Sequence, residues 1–199
     1  LLYQDKFADA ASALDNVIGV YSLVPDYGSQ FLRFGENGPE SVFEIQYSNQ
    51  SNWYDWGCAH CSEGNYAIIM NGPRGWSGPE YAQGWSFNVP TAEFYNSFED
   101  GDSRRDATVL DIEAFASATG ASYTEGYDHT GYFNNKYIPR AGESGGQTEL
   151  NYLTNFRIIR YSDVLLMAAE AYNRGGIDDG LAQEFLNQVR RRAFGDDNH

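Results

Sequence analysis

From Tyr161 the apolar positions fall at Val164, Leu165, Ala168, Ala171 and Tyr172, the one-sided stripe of an amphipathic helix. Gly175-Gly176 predicts its stop, because glycine takes the left-handed geometry just past a helix without penalty. Asp178 or Asp179 is placed to cap a second helix whose stripe reads Leu181, Phe185, Leu186 and Val189. Arg190, Arg191 and Arg192 close it, at the end where cations suit the helix dipole. The pattern is a helical hairpin with one buried face. Near the start of the chain, Phe7, Ala10, Ala11, Leu14, Val17 and Ile18 form another stripe. Its small alanines between larger residues let neighbouring helices approach closely, as in stacked helical repeats. One such helical pair cannot bury its face alone.

Between Gly19 and Pro90 the periodicity largely vanishes. Only Ser41 to Tyr47 alternates as a short strand. After it come about forty residues dense in Gly, Asn, Ser and aromatics, and a loop that long in a compact domain usually has a function. Pro90-Thr91 predicts the start of a short helix, TAEFYNSFE, with Thr91 as cap and Phe94, Tyr95 and Phe98 on its apolar side. Asp102 to Asp106 (DSRRD) lacks the alternating acids and distal Glu of a calcium loop and predicts a structural ion-pair cluster. Lys136 to Gly146 is a further polar, Gly-rich loop.

The wording of these segments adds to their periodicity. RYSDVLLMAAEAYN followed by LNQVRRRA closely resembles the SusD/RagB family of outer-membrane glycan-binding lipoproteins. The resemblance extends through ESVFEIQY (40–47), GWSFNVPT (84–91), FEDGDSRRDAT (98–108), Asn134-Lys136-Tyr137 and Asn155-Phe156-Arg157, in the family's order. Residues 1–18 resemble its tetratricopeptide-type helices, with LLY ending one helix, QDK turning and FADAASALDNVI forming the next.

The fold this implies is mainly α: a SusD-like α/α superhelix with tetratricopeptide-type helical pairs and a long loop-rich middle region. Residues 1–199 would be one domain fragment, with repeat-type helices at 1–20, a loop-rich ligand-binding region at 40–150 and the hairpin at 155–194. Because the sequence has no start methionine, signal peptide or lipid-acceptor cysteine, and the family's closing segment is absent, the resemblance implies an internal piece of a larger chain.

Composition narrows the ligand. A net charge of -15 and a pI near 4.4 leave no basic stripe for nucleic-acid phosphates and disfavour anionic membrane surfaces. No apolar run approaches the ~20 residues of a membrane span, so attachment would need a lipidated N-terminus. Cys58 and Cys61, in C-A-H-C, lack the strand-to-helix context of a redox pair. With His60 they supply one ligand too few for a closed zinc site. They read as a local disulfide or two thiols stiffening a loop, the disulfide being natural in an exported protein.

No catalytic constellation emerges. There is no G-x-S-x-G, no triad among three scattered histidines and no P-loop lysine beside the glycine runs. Among 28 acids, sequence singles out no glycosidase pair, although a glycoside hydrolase remains an alternative.

Sugars present apolar CH faces edged with hydroxyls, so their sites combine flat aromatics with placed polar groups. Asn52, Trp53, Tyr54, Asp55 and Trp56 offer that combination, and Asn71, Arg74, Trp76 and Tyr81 offer it again. Trp53, Trp56 and Trp76 are the expected anchors of a binding loop from Ser48 to Tyr81, whereas Trp85, Tyr161 and Tyr172 belong to the framework. The resemblance implies a non-catalytic protein without cofactor or metal. It would capture oligosaccharides at the surface of a Bacteroidota-type outer membrane and deliver them to a SusC-like TonB-dependent transporter. The alternatives are import of peptide, which aromatics bind equally well, and a surface for a protein partner.

Overall fold

A computed structural model describes residues 1–50, 56–144 and 151–196. In chain order the elements are α1 (Phe7–Asp15), β1 (Ser41–Ile45), α2 (Ala67–Met70), β2 (Arg74–Ser77), α3 (Ala92–Asn96), α4 (Arg104–Thr108), β3 (Val109–Asp111), α5 (Ile112–Thr119), β4 (Ser122–Thr124), β5 (Tyr132–Asn134), β6 (Phe156–Arg160), α6 (Tyr161–Arg174) and α7 (Asp179–Phe194), with short 3-10 turns between them. The chain is mainly helical, and its contacts divide it into two compact units. One is helical (1–30, 34–44 and 157–199) and one loop-rich (31–33 and 45–156).

In the helical unit the predicted hairpin forms. Asp178 is the cap of α7, its carboxylate accepting from Leu181 N at 3.0 Å, and Gly176 takes the left-handed φ of 60° between the helices. Tyr161, Val164, Leu165 and Ala168 of α6 pack on Phe185 and Val189 of α7. The stripe of α7 differs from expectation. Leu181 and Leu186 are exposed, and Ala182 and Ala193 are buried instead. Residues 182, 185, 189 and 193 lie on one line along a helix, and the two leucines flank it. Ala10 and Ala11 of α1 meet Ala171 of α6, three small residues that bring the helices together. Helix α1 ends at Asp15 rather than at Ile18, but Val17 and Ile18 still pack on the hairpin core from the turn that follows.

β1 pairs with β6. Beside this sheet sits a charged network. The Glu40 carboxylate accepts from Arg192 Nη1 at 2.8 Å and from Val24 N at 3.0 Å, and Glu40 O accepts from Tyr161 N at 2.8 Å. One residue thus ties together the chain near Val24, the start of α6 and the end of α7. Arg157 pairs with Glu44, Nε to Oε1 at 3.6 Å, and both are buried.

The loop-rich unit has two small cores. β3 and β5 pair antiparallel, Leu110 opposite Phe133, over a core of Ile112, Phe133, Ile138 and Tyr81. Ile68, Ile69 and Tyr152 form the other, with Trp85 and Tyr137 packed on it, so Trp85 is framework as expected. β2 and β4 also pair antiparallel. Thr91 caps α3 as predicted, accepting from Phe94 N at 3.2 Å, and Asp102 pairs with Arg104 at 2.6 Å. Ser48 N donates to Glu63 O at 3.0 Å, and Ser62 Oγ donates to the buried Asn151 Oδ1 at 3.3 Å.

Candidate functional site

The backbone after Gly84 lies flat on the turn that ends α2. Gly84 N donates to Pro73 O, Trp85 N to Ile69 O, Ser86 N to Gly72 O and Phe87 N to Met70 O, all at 2.8 to 2.9 Å. A Cβ on Gly84 would overlap Asn71 O, so only glycine permits this approach. The result is that Asn88 arrives beside Asn71. Asn88 Nδ2 donates to Asn71 Oδ1 at 3.3 Å, and Asn71 Nδ2 in turn donates to Tyr137 O at 3.0 Å and Ala67 O at 3.2 Å. Ser86 and Asn88 both hold positive φ, 58° and 51°, a conformation concentrated at ligand-binding segments. The variant Gly84→Ala is expected to lose about 1 to 3 kcal/mol of stability by overpacking. A chemical denaturation midpoint equal to the parent's would show that the two segments can separate freely.

Around these amides lies a cavity of about 310 Å3, at the small end of ligand pockets. Its polar wall is Asn65, Asn71, Asn88 and Asn134, and its aromatic wall is Tyr66, Tyr137 and Phe156. The Tyr137 and Phe156 rings sit 5.0 Å apart, tilted by 30°. Tyr66 is 45% exposed and Phe156 39%, so both present ring surface to an incoming molecule. The amides are fixed by the frame: Asn65 Nδ2 donates to Thr154 O at 2.9 Å, and Asn134 Oδ1 accepts from Lys136 N and Tyr137 N. Asn88 Oδ1 and Asn134 Nδ2 make no hydrogen bond among the described residues and can serve a ligand. Among the described residues no charged side chain lines the cavity.

The expected site residues fall in different places. Asn52, Trp53, Tyr54 and Asp55 lie outside the described residues, as does the side chain of Trp56. Trp76 and Tyr81 are not loop surface. Tyr81 is 6% exposed, in the core with Phe133, and Trp76 packs edge-on to it at 5.9 Å and against Phe115. Burial pushes the Tyr81 phenol up, with the Arg140 guanidinium beside it pulling the other way. These two rings help close a small core shared with Leu110, Ile112 and Ile138, and Trp76 reaches it from β2. Arg74 is exposed, but its Nε donates to Trp85 O at 2.7 Å and its guanidinium lies over the Phe87 ring, and it does not line the cavity. Of the second cluster, only Asn71 reaches the cavity.

Sequence reasoning missed Asn65, Tyr66, Asn88, Asn134, Tyr137 and Phe156. A signal was present: an asparagine beside an aromatic at Asn65-Tyr66, Phe87-Asn88, Phe133-Asn134 and Asn155-Phe156. The same pairing at Asn151-Tyr152 is buried core, so the fold is needed to sort them.

Cys58 and Cys61 form a disulfide at the end of segment 49–62, three residues before Gly64. The double variant Cys58→Ser/Cys61→Ser is expected to change ligand affinity only a few-fold, through loop ordering alone. A loss above roughly tenfold by calorimetry would give the bridge a direct part in the site.

The SusD family model matches residues 111–199. SusD-like protein P2 of Formosa agariphila is 30% identical over 181 residues, covering 86% of this chain and 34% of that protein. Surface glycan-binding protein A from Bacteroides fluxus superposes with a TM-score of 0.85 at 30% identity, over 98% of this chain and 43% of its own. The same-named protein from Bacteroides thetaiotaomicron, solved in complex with laminarihexaose, gives 0.85 at 34% identity, over 96% and 44%. The chain therefore spans between a third and a half of the length of these relatives.

Proposed function

This chain belongs to the SusD family, and we propose that it captures neutral oligosaccharides in the amide-and-aromatic cavity of its loop-rich unit. The observation that carries this reading is the cavity's composition: four asparagines and three aromatic rings, with no charged side chain among the described residues. Aromatic rings take the CH faces of a pyranose while amides, each both donor and acceptor, take its hydroxyls. A carboxylated or sulfated glycan would find no cation there among the described residues, inside a chain of net charge -15. The relative solved with laminarihexaose supports a neutral glucan as the ligand class.

In the same reading the protein binds without cleaving; hydrolysis would need two carboxylates across the scissile bond, and among the described residues none lines this cavity. It acts at the cell surface, attached through an N-terminal lipid, and hands its cargo to a SusC-like TonB-dependent transporter. Among the described residues no helix is long and apolar enough to cross a membrane.

Trp53, Tyr54 and Trp56, with Asn52 and Asp55, extend the site from the loop whose base, at Ser48 and Glu63, adjoins Asn65 and Tyr66 in sequence.

Calorimetric titration with laminarihexaose is expected to give micromolar to millimolar affinity, roughly 4 to 8 kcal/mol, and a uronic-acid hexasaccharide none. Trp53→Ala and Trp56→Ala are expected to cost about 1 to 3 kcal/mol each. Equal binding of the neutral and the anionic hexasaccharide would defeat the assignment.

A further inference from the structure

A second cavity lies wholly within the helical unit. It has a volume of about 190 Å3, the space of roughly six water molecules. Its wall alternates charge, Glu40 and Glu44 with Arg157 and Arg160, so the lining is neutral overall and rich in both donors and acceptors. Glu40 is the unusual member. Its side chain is 3% exposed, and its Oε2 is satisfied by Arg192 and Val24. Among the described residues its Oε1 has no hydrogen-bond partner, and Arg160 Nη1 stands 3.8 Å from it, beyond hydrogen-bond length. A buried carboxylate oxygen left without a donor is costly, and such exceptions in native proteins call for an explanation.

The rim supplies the other half of a site. Phe34 lines the mouth with its ring 78% exposed. Gly35, next to it, lies so close to Ser29 O that a Cβ would overlap it, which keeps the wall at that point free of side chain. A ligand of net charge gains nothing from a lining that is itself balanced. A small neutral molecule with hydroxyls on its edge and an apolar face matches every part.

We infer that this cavity is a second saccharide site, sized for a single neutral sugar ring, in which a hydroxyl donates to Glu40 Oε1, a neighbouring hydroxyl accepts from the arginine side, and the ring's CH face lies on Phe34. The inference rests on this cavity alone and stands or falls separately from the site in the loop-rich unit.

The test is titration of the isotope-labelled protein with methyl β-D-glucopyranoside, following backbone amides by NMR. Saturable shifts are expected at Gly35, Gly38 and Ser41. Phe34→Ala, at an exposed position where folding is spared, should weaken them about fivefold or more, and Phe34→Trp should retain them. Tyr66→Ala should leave these shifts unchanged while abolishing those at the other cavity, which keeps the two assignments distinguishable. Absence of saturable shifts at these amides, meaning a cavity that holds water only, would overturn the inference. So would saturation that Phe34→Ala does not alter.

Discussion

Truncating Tyr66 and Phe156 together to alanine is expected to remove oligosaccharide binding from the measurable range. Each ring is more than a third exposed, so the fold loses little when it goes, but the cavity loses two of its three aromatic walls. Hot-spot aromatics cost on the order of 1 to 3 kcal/mol each on truncation. Together that is roughly a hundredfold or more in Kd, against a parent affinity that is itself modest. Calorimetry with laminarihexaose reads the loss, and an unchanged far-ultraviolet circular dichroism spectrum separates lost contact from lost fold. A double variant that binds like the parent would move the site away from this cavity.

The largest effect on stability is expected at Glu40. Glu40→Ala strands the buried Arg192 guanidinium, leaves Val24 N without its acceptor and loosens the joint between α6 and α7. Removing one partner of a buried ion pair costs about 3 to 5 kcal/mol, because the remaining charge stays buried. For a chain of this size that corresponds to a drop in Tm on the order of 10 °C. Glu184 is the comparison. Its pairing with Arg191 lies at the surface, the hydrogen bond from Arg191 holding its carboxyl below the usual range, and exposed pairs contribute little. Thermal melts of Glu40→Ala and Glu184→Ala should therefore differ sharply. Equal melting points would mean that water reaches Arg192 when Glu40 is absent.

The contrast between the two units also explains what the sequence made legible. The hairpin could be read because its signals are local: a 3.6-residue period, a Gly-Gly stop and an aspartate cap all act within a few residues of one another. Even the misplaced Leu181 and Leu186 miss the buried line by only one position. The loop-rich unit follows no period, and its site depends on contacts between distant segments. Asn71 and Asn88 are 17 residues apart and Phe156 lies much further along, yet all three line one cavity. Exposure of Trp76 and Tyr81 was inferred from their Gly- and Ser-rich neighbours. Composition near a residue does not decide burial, which in this case is set by Phe115 and Phe133 arriving from later in the chain. The aromatic-plus-amide pairing expected between Ser48 and Tyr81 meets, in this cavity, partners such as Asn134 and Phe156 that no local pattern connects to it.

The bond from Ser48 N to Glu63 O has a bearing on how such a protein could diversify. That backbone bond joins residues 15 positions apart, so a change in the length of the chain between them leaves its two anchoring residues where they are. Doubling a loop adds only about 0.6 kcal/mol of closure entropy. Chains sharing this frame could therefore exchange the residues between Ser48 and Glu63 for others of different length while keeping the same backbone anchor.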